Sequence, residues 1–349
     1  MAIESQTIST QEIKPIFAFD TDNQALGTAH TTADDFYDFG ILSYTIPYNS
    51  STLEVAPNLA GHYGQLEKQG RHRQDLNTWT FDASFLGTTN ALKANCLWAF
   101  GDMVSPFVLT PEIGIGNGTA GDMQMLHGAS SDNHTTAIFR NGGTDATADD
   151  MVVRGAMIQS MTIKQDINAN AGLMTIDSTF FTAYPPTEAA NTVTVDTTDA
   201  GNAAYSIFDL NTNSDASAIE LNSVHLMPLS WEITISRTLE RVGSQDYSTY
   251  LPYAIVQTGA WEVTGSLNVK ADDGSYDLAS ILKGTSAGVN LSIDQASNLT
   301  IDLPKVMVDS ATLDNGGSFL THTIPFRAFA EAATDASGDT ENIISIAAS

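Results

Sequence analysis

The most regular chemical spacing in the chain belongs to oxygen donors. Asp209, Asn211, Asn213, Asp215, Ser217 and Glu220 fall at positions 1, 3, 5, 7, 9 and 12 of a loop, the spacing of a calcium-binding EF-hand. Such a loop needs glycine at its sixth position, and Ser214 stands there without an amphipathic helix pair around it, so a polar connecting segment is the simpler reading. Gly114, Gly116, Gly118 and Gly121 form a glycine-rich run. No Lys-Ser or Lys-Thr follows it and no helix opens there, which leaves out what a phosphate cradle requires. The seven histidines are scattered, and neither His-Glu-x-x-His nor Gly-x-Ser-x-Gly occurs. Cys96, the single cysteine, falls on the apolar side of a helical pattern, where an inert buried thiol is expected. The acid pairs Asp34-Asp35, Asp149-Asp150 and Asp272-Asp273 read as solvated turns unless the fold gathers specific carboxyls. We therefore expect no enzyme chemistry, no cofactor and no metal.

Charge points the same way. The 349 residues carry 41 Asp and Glu against 14 Lys and Arg, a net charge of −27, with the acids spread along the chain. A surface of that sign repels nucleic acid, so a protein that grips DNA phosphates is excluded. Against this background Arg71-His72-Arg73 is the one basic cluster, with Lys68 nearby. These residues, together with Arg237 and Arg241, are candidates for charge-steered contact with an acidic neighbouring subunit. No apolar run approaches the roughly 20 residues of a membrane helix, and residues 1–15 lack the pattern of a signal peptide. A soluble protein without a membrane partner, not secreted by that route, is expected.

The elements that must position these side chains are mostly strands. Alternating apolar and polar residues, rich in β-branched and aromatic types and bounded by Gly, Asn, Asp and Ser, predict strands near 42–48, 79–85, 157–163, 173–181, 229–235, 261–269, 299–303, 306–313 and 319–329. Two short helices are predicted. One covers 90–100, with Asn90 as cap, Leu92, Cys96 and Phe100 on one face and Gly101 after it; the other covers 275–283, capped by Ser275 and carrying Leu278, Ile281 and Leu282.

The order of these pieces repeats. Leu42-Ser43-Tyr44-Thr45-Ile46 aligns with Leu229-Ser230-Trp231-Glu232-Ile233, an offset of 187 from 42 to 229. Trp79-Thr80-Phe81-Asp82-Ala83-Ser84-Phe85 aligns with Trp261-Glu262-Val263-Thr264-Gly265-Ser266-Leu267, an offset of 182 from 79 to 261. Met157-Ile158-Gln159-Ser160-Met161-Thr162-Ile163 aligns with Met307-Val308-Asp309-Ser310-Ala311-Thr312-Leu313, an offset of 150 from 157 to 307. The shrinking offset implies an insertion in the first copy, at about 105–150. Two β domains are thus expected: 1–186, then a Thr- and Asn-rich linker at 187–222, then 223–332, with a small polar tail at 333–349. In the strand from Trp261 the polar side holds Glu262, Thr264 and Ser266, and in the strand from Trp79 it holds Thr80, Asp82 and Ser84.

The spaced motifs Glu232-Ile233-Thr234-Ile235-Ser236-Arg237, Trp261 to Leu267, Leu303-Pro304-Lys305-Val306 and Thr323-Ile324-Pro325-Phe326-Arg327-Ala328-Phe329 resemble those of the major tail tube proteins of long-tailed, siphovirus-like viruses. The resemblance covers most of 223–330 and, more loosely, 36–184. It implies two tandem β-sandwich or small-barrel domains, each with a short flanking helix, whose lumen-facing strands join those of neighbouring subunits. Single-domain relatives form six-subunit rings, so three such chains would make a ring of pseudo-sixfold symmetry, and stacked rings a hollow tube. The implied partners are further copies of the chain, a tape measure protein in the lumen, a tail terminator, and baseplate or tip proteins, with viral DNA passing through unbound. The implied location is the virion tail, with assembly in the host cytoplasm. Asp82, Glu232 and Glu262 become candidates for the lumen face. The competing readings are another virion β protein, such as a tail terminator or decoration protein, and an acidic carbohydrate-binding β protein, whose mark would be exposed aromatics in a cleft.

Overall fold

The computed structural model describes residues 13–19, 36–47, 52–55, 70–73, 77–100, 107–109, 134–141, 150–189, 193, 195–196, 203–210, 218–243, 252, 254–271, 279–283, 288–295, 299–330 and 342–348. The first strands are β1 (Ile13–Ala18), β2 (Phe36–Tyr37), β3 (Ile41–Tyr44), β4 (Thr52–Val55), β5 (Gly70–Arg73) and β6 (Trp79–Leu86), followed by helix α1 (Thr89–Phe100). Next come β7 (Phe107–Leu109), β8 (Thr135–Asn141), β9 (Asp150–Asp166), β10 (Thr175–Thr182), β11 (Thr187–Ala189) and β12 (Val195–Asp196). Then follow β13 (Ala218–Leu221), β14 (Val224–Leu226), β15 (Pro228–Ser236), β16 (Leu239–Val242), β17 (Ala254–Gln257) and β18 (Glu262–Lys270). The last are β19 (Val289–Gln295), β20 (Leu299–Val308), β21 (Thr312–Asp314), β22 (Thr321–Ala328) and β23 (Ile344–Ala348).

Alternation of apolar and polar side chains sends these strands into two layers. The front layer is an unbroken antiparallel run of eight strands, β3–β6–β10–β9–β15–β18–β22–β21. Behind its first half lie β2, β1 and β8; behind its second half lie β14, β13, β19 and β23. Strand β9 belongs to both layers: Val152 pairs with Ile138 of β8, whereas Ile163 pairs with Ile176 of β10 and Ile233 of β15. Strand β20 repeats this passage, pairing with β19 at Ile301 and reaching β22 at Val308.

The pairings of the first half recur in the second, register for register. Ile176 lies between Ile163 and Phe85, and His322 lies between Leu313 and Val269. The register shift between Ile41 and Ser43 in β3 recurs between Pro228 and Ser230 in β15, and that between Thr135 and Ala137 in β8 recurs between Val289 and Leu291 in β19. Hairpin β4–β5 has its counterpart in β16–β17. One alignment is corrected: Trp79, opposite Thr182, corresponds in pairing to Val263, opposite Ala328, and not to Trp261. A slip of two residues leaves every side chain on its original face, so the pattern alone does not reveal it.

Aromatic packing holds the layers together in the first half. Phe17 of β1 lies 5.3 Å from Trp98 of α1 and 5.4 Å from Phe180, and Phe180 stacks on Phe81 at 4.8 Å. In the second half the position of Phe81 is taken by Gly265, where a Cβ would come within 2.4 Å of both the Phe326 ring and the Glu232 carbonyl. Glycine is needed there because a neighbouring ring and backbone already fill the space.

Helix α1 forms where predicted, but its cap is Thr88, whose Oγ1 accepts from the Ala91 N–H at 3.2 Å, and not Asn90. Asn95 ties the helix to the sheet, donating to the Ala91 carbonyl and accepting from Ser178 Oγ at 2.7 Å. Cys96 is fully buried, and burial pushes its thiol pKa well up. The second predicted helix does not form over its described part: Ala279–Lys283 is a turn that still buries Ile281 and Leu282. Strand β8 lies inside the span expected as an insertion, and β11, β12 and β13 inside the expected linker. The expected tail carries β23, which pairs with β20 and β7 and buries Ile344, Ile346 and Ala348. Its small residues hid a period-two apolar pattern short enough to pass for an arm.

Phe180→Ala should remove the ring shared by both layers and cost about 3–5 kcal/mol. Equilibrium denaturation by urea would show this as a lower midpoint with an unchanged slope.

Candidate functional site, the polar face of the front sheet

The eight-strand run has one face in the core and one turned outward. On the outward face, residues joined by cross-strand register form continuous rows. One row reads Ser43, Ser84, Asp177, Thr162, Thr234, Thr264, Arg327. The next reads Asp82, Thr179, Ser160, Ser236, Glu262. A third places Lys164 beside Glu232 and Glu232 beside Ser266. The three acids singled out from sequence therefore share one face, on β6, β15 and β18, and all three are exposed.

Short polar groups satisfy one another across the strands. Thr162 and Thr234 share a hydroxyl hydrogen bond at 2.8 Å across the β9–β15 seam. Thr179 donates to Asp82 at 2.7 Å, Ser84 donates to Asp177, and Ser266 donates to Glu232 at 3.1 Å. Lys164 pairs with Asp177, and Arg327 pairs with Glu262 at 3.0 Å. Asp82, Asp166, Asp177, Glu232, Glu262 and Asp314 share this face with three cations, Lys164, Lys270 and Arg327, so it is mildly acidic. Lys164, Asp177 and Arg327 were not picked out from sequence. The alternation of their strands was visible, but which neighbour each would meet depends on register. Two shallow open hollows lie on this face, one between Asp82 and Thr162 and the other between Asp166 and Asn268. Among the described residues no three His, Cys, Asp or Glu side chains gather as a metal site would need.

The basic candidates divide. Arg237 is buried, in correction of its expected surface role: its Nε donates to the Ile158 carbonyl at 2.9 Å and its guanidinium lies 4.7 Å over the Trp261 ring. Desolvation draws its pKa down to about 9. Arg241 donates to the carbonyls of Asn77 and Ala183 at 2.8 and 3.1 Å, fastening hairpin β16–β17 to the first half. Arg71 and Arg73 lie on β5, in register with Glu54 and Thr52, while Lys68 lies outside the described residues. Of the calcium-like spacing, Asp209 lies within the 3-10 turn Ile207–Leu210 and Glu220 sits on strand β13, 3.3 Å from His225, where an EF-hand would have its exiting helix; Asn211, Asn213 and Asp215 lie outside the described residues. Trp79, Trp98 and Trp231 are buried and Trp261 is covered by Arg237 and Phe100, so none offers the open aromatic platform of a sugar-binding cleft.

No protein-family model matches the chain, and no curated protein matches it in sequence.

Arg237→Lys keeps the charge but not the planar fork over Trp261, and should cost about 1–3 kcal/mol in denaturant unfolding. On the back layer, partial desolvation raises the carboxyl pKa of Asp302, a residue otherwise open to solvent, and the charge of Asp294 adds to the rise. The folded state then holds this proton more tightly than the unfolded one, so stability falls as pH rises through the raised value. Asp302→Asn should raise the melting temperature at pH 7, with the gain shrinking as pH falls through the carboxyl range.

Proposed function

We propose that the chain is the subunit of a hollow tube, the tail tube of a long-tailed virus, built from stacked trimeric rings of pseudo-sixfold symmetry. The observation that carries this reading is the β9–β15 seam. Two four-strand runs of the same register, β3–β6–β10–β9 and β15–β18–β22–β21, meet edge to edge, the relation that neighbouring subunits of a closed ring would have. The recurrence of pairings and register shifts supports a duplicated tube domain, and three such chains would supply six equivalent positions.

The polar face then lines the lumen, with Asp82, Glu232 and Glu262 on it. DNA carries about one negative charge per 1.7 Å of its axis, and a basic lining would hold it through counterion release. A lining of hydroxyls with more acids than bases offers no such grip, and DNA slides past. Hairpins β4–β5 and β16–β17 are the counterparts available to dock one ring on the next, with Arg71 and Arg73 on the first. Further copies of the chain are the main partner, with a tape measure protein in the lumen and terminator and tip proteins at the tube ends.

Electron microscopy of the purified protein, concentrated at low and at high salt, should show hollow tubes or rings whose end-on averages have threefold symmetry. A monodisperse monomer in both conditions would count against the proposal. A low copy number in purified particles would favour a terminator or decoration protein instead.

A further inference from the structure

The seam inside the chain specifies a second seam between chains. We infer that the β21 edge of one copy pairs antiparallel with the β3 edge of the next, with Leu313 opposite Ile46. This inference rests on the ring reading above and adds the partner edge and its register.

Three observations carry it. Within the chain, β9 and β15 pair from Ser160 opposite Ser236 to Asp166 opposite Ser230, and Ile163 and Ile233 meet at the centre with 0% exposure each. The recurrent pairings map β9 onto the β21 edge, since Ile163 beside Ile176 becomes Leu313 beside His322, and map β15 onto the β3 edge, since Ser230 beside Asn268 becomes Ser43 beside Ser84. Carried through that map, Ile163 and Ile233 become Leu313 and Ile46. These two are 56% and 39% exposed, large apolar side chains left open where their counterparts are sealed.

Backbone geometry agrees. Among the described residues β3 pairs only with β6, and β21 only with β22. Thr45 gives its N–H to the Asp82 carbonyl at 2.9 Å, so by alternation Ile46 turns its own N–H and carbonyl to the open side. The N–H that Pro47 lacks would point toward β6, and its loss costs the open edge nothing. On the other edge Ala311 donates to the Leu282 carbonyl, which closes the strand up to that point and makes Leu313 the first outward-facing position. Because the two edges differ, the contact is head-to-tail and continues from copy to copy until a ring closes.

The test is disulfide trapping. The pair Thr45 and Asp314 corresponds to Glu232 and Lys164, which by the alternation from the Arg237 N–H bond to Gln159 is a narrow, non-hydrogen-bonded pair. Cα atoms in such pairs lie about 4.5 Å apart, within reach of a disulfide. Full-length protein carrying Thr45→Cys and Asp314→Cys, oxidised under assembling conditions, should give covalent dimers and trimers on non-reducing gels and nothing larger. Thr45→Cys with Thr312→Cys, two residues out of register, should give several-fold less. Leu313→Asp, at an exposed site where folding is not at stake, should raise the concentration needed for assembly by at least about tenfold. If tubes form but the in-register pair does not link, or Leu313→Asp assembles as well as the parent, the register is wrong while the tube reading stands. Linked trimers without tubes would uphold the junction and count against the tube.

Discussion

Everything else in this molecule depends on one antiparallel pairing, that of β9 with β15. Without it β9 and β15 would each be left as an unpaired edge, with the two halves joined only through the β7–β23 pairing and side-chain contacts, and bare edges invite non-specific association. With it, Met161, Ile163 and Gln165 close against Ile235, Ile233 and Trp231 on the core side, while Thr162 and Thr234 join hydroxyls on the outward side. Beneath the seam, Gln165 accepts from the Trp231 indole at 2.7 Å and from Gln295 at 3.1 Å, so a buried polar network spans both halves. Gln165 Nε2 and Gln295 Oε1 have no partner among the described residues, so this network is only half satisfied and carries a cost. The seam is therefore specified chiefly by apolar fit, with the Trp231–Gln165 hydrogen bond matching the two halves at one point.

The same pairing explains the character of the outward face. The rows of short polar side chains run from β3 to β22, with hydroxyls interrupted by Asp177 and ending at Arg327 in one row and flanked by Asp82 and Glu262 in the next. The acids are held within this lattice by short donors, and bulky side chains are scarce.

Much of this was legible in the sequence, because alternation with period two is a strong signal wherever one face is buried. The strands around Leu42, Trp79, Met157 and Leu229 and the helix at Leu92 could be placed, and Asp82, Glu232 and Glu262 could be assigned to polar sides. Register was not legible. The two tryptophans Trp79 and Trp261 invited an alignment that the pairings displace by two residues, a shift that leaves the faces unchanged. The fate of Arg237 was equally hidden, since nothing local announces that an arginine beyond a strand end will fold back over Trp261. Segments of small residues misled most: β13 and β23 pack Ile, Leu and Ala into a back layer that composition alone presented as linker and tail.

Strand β9 runs for 17 residues and serves both layers. Where two sheets touch only through side chains, they can slide over each other, and a sideways load is resisted by dispersion contacts that are individually weak. Here a single backbone passes from the back layer into the front, and β20 does the same in the second half. A load applied along the outward face is thus carried into the back layer through covalent bonds and ladder hydrogen bonds. The two layers thus behave as one stiff plate, whose bending stiffness is set by their full combined depth.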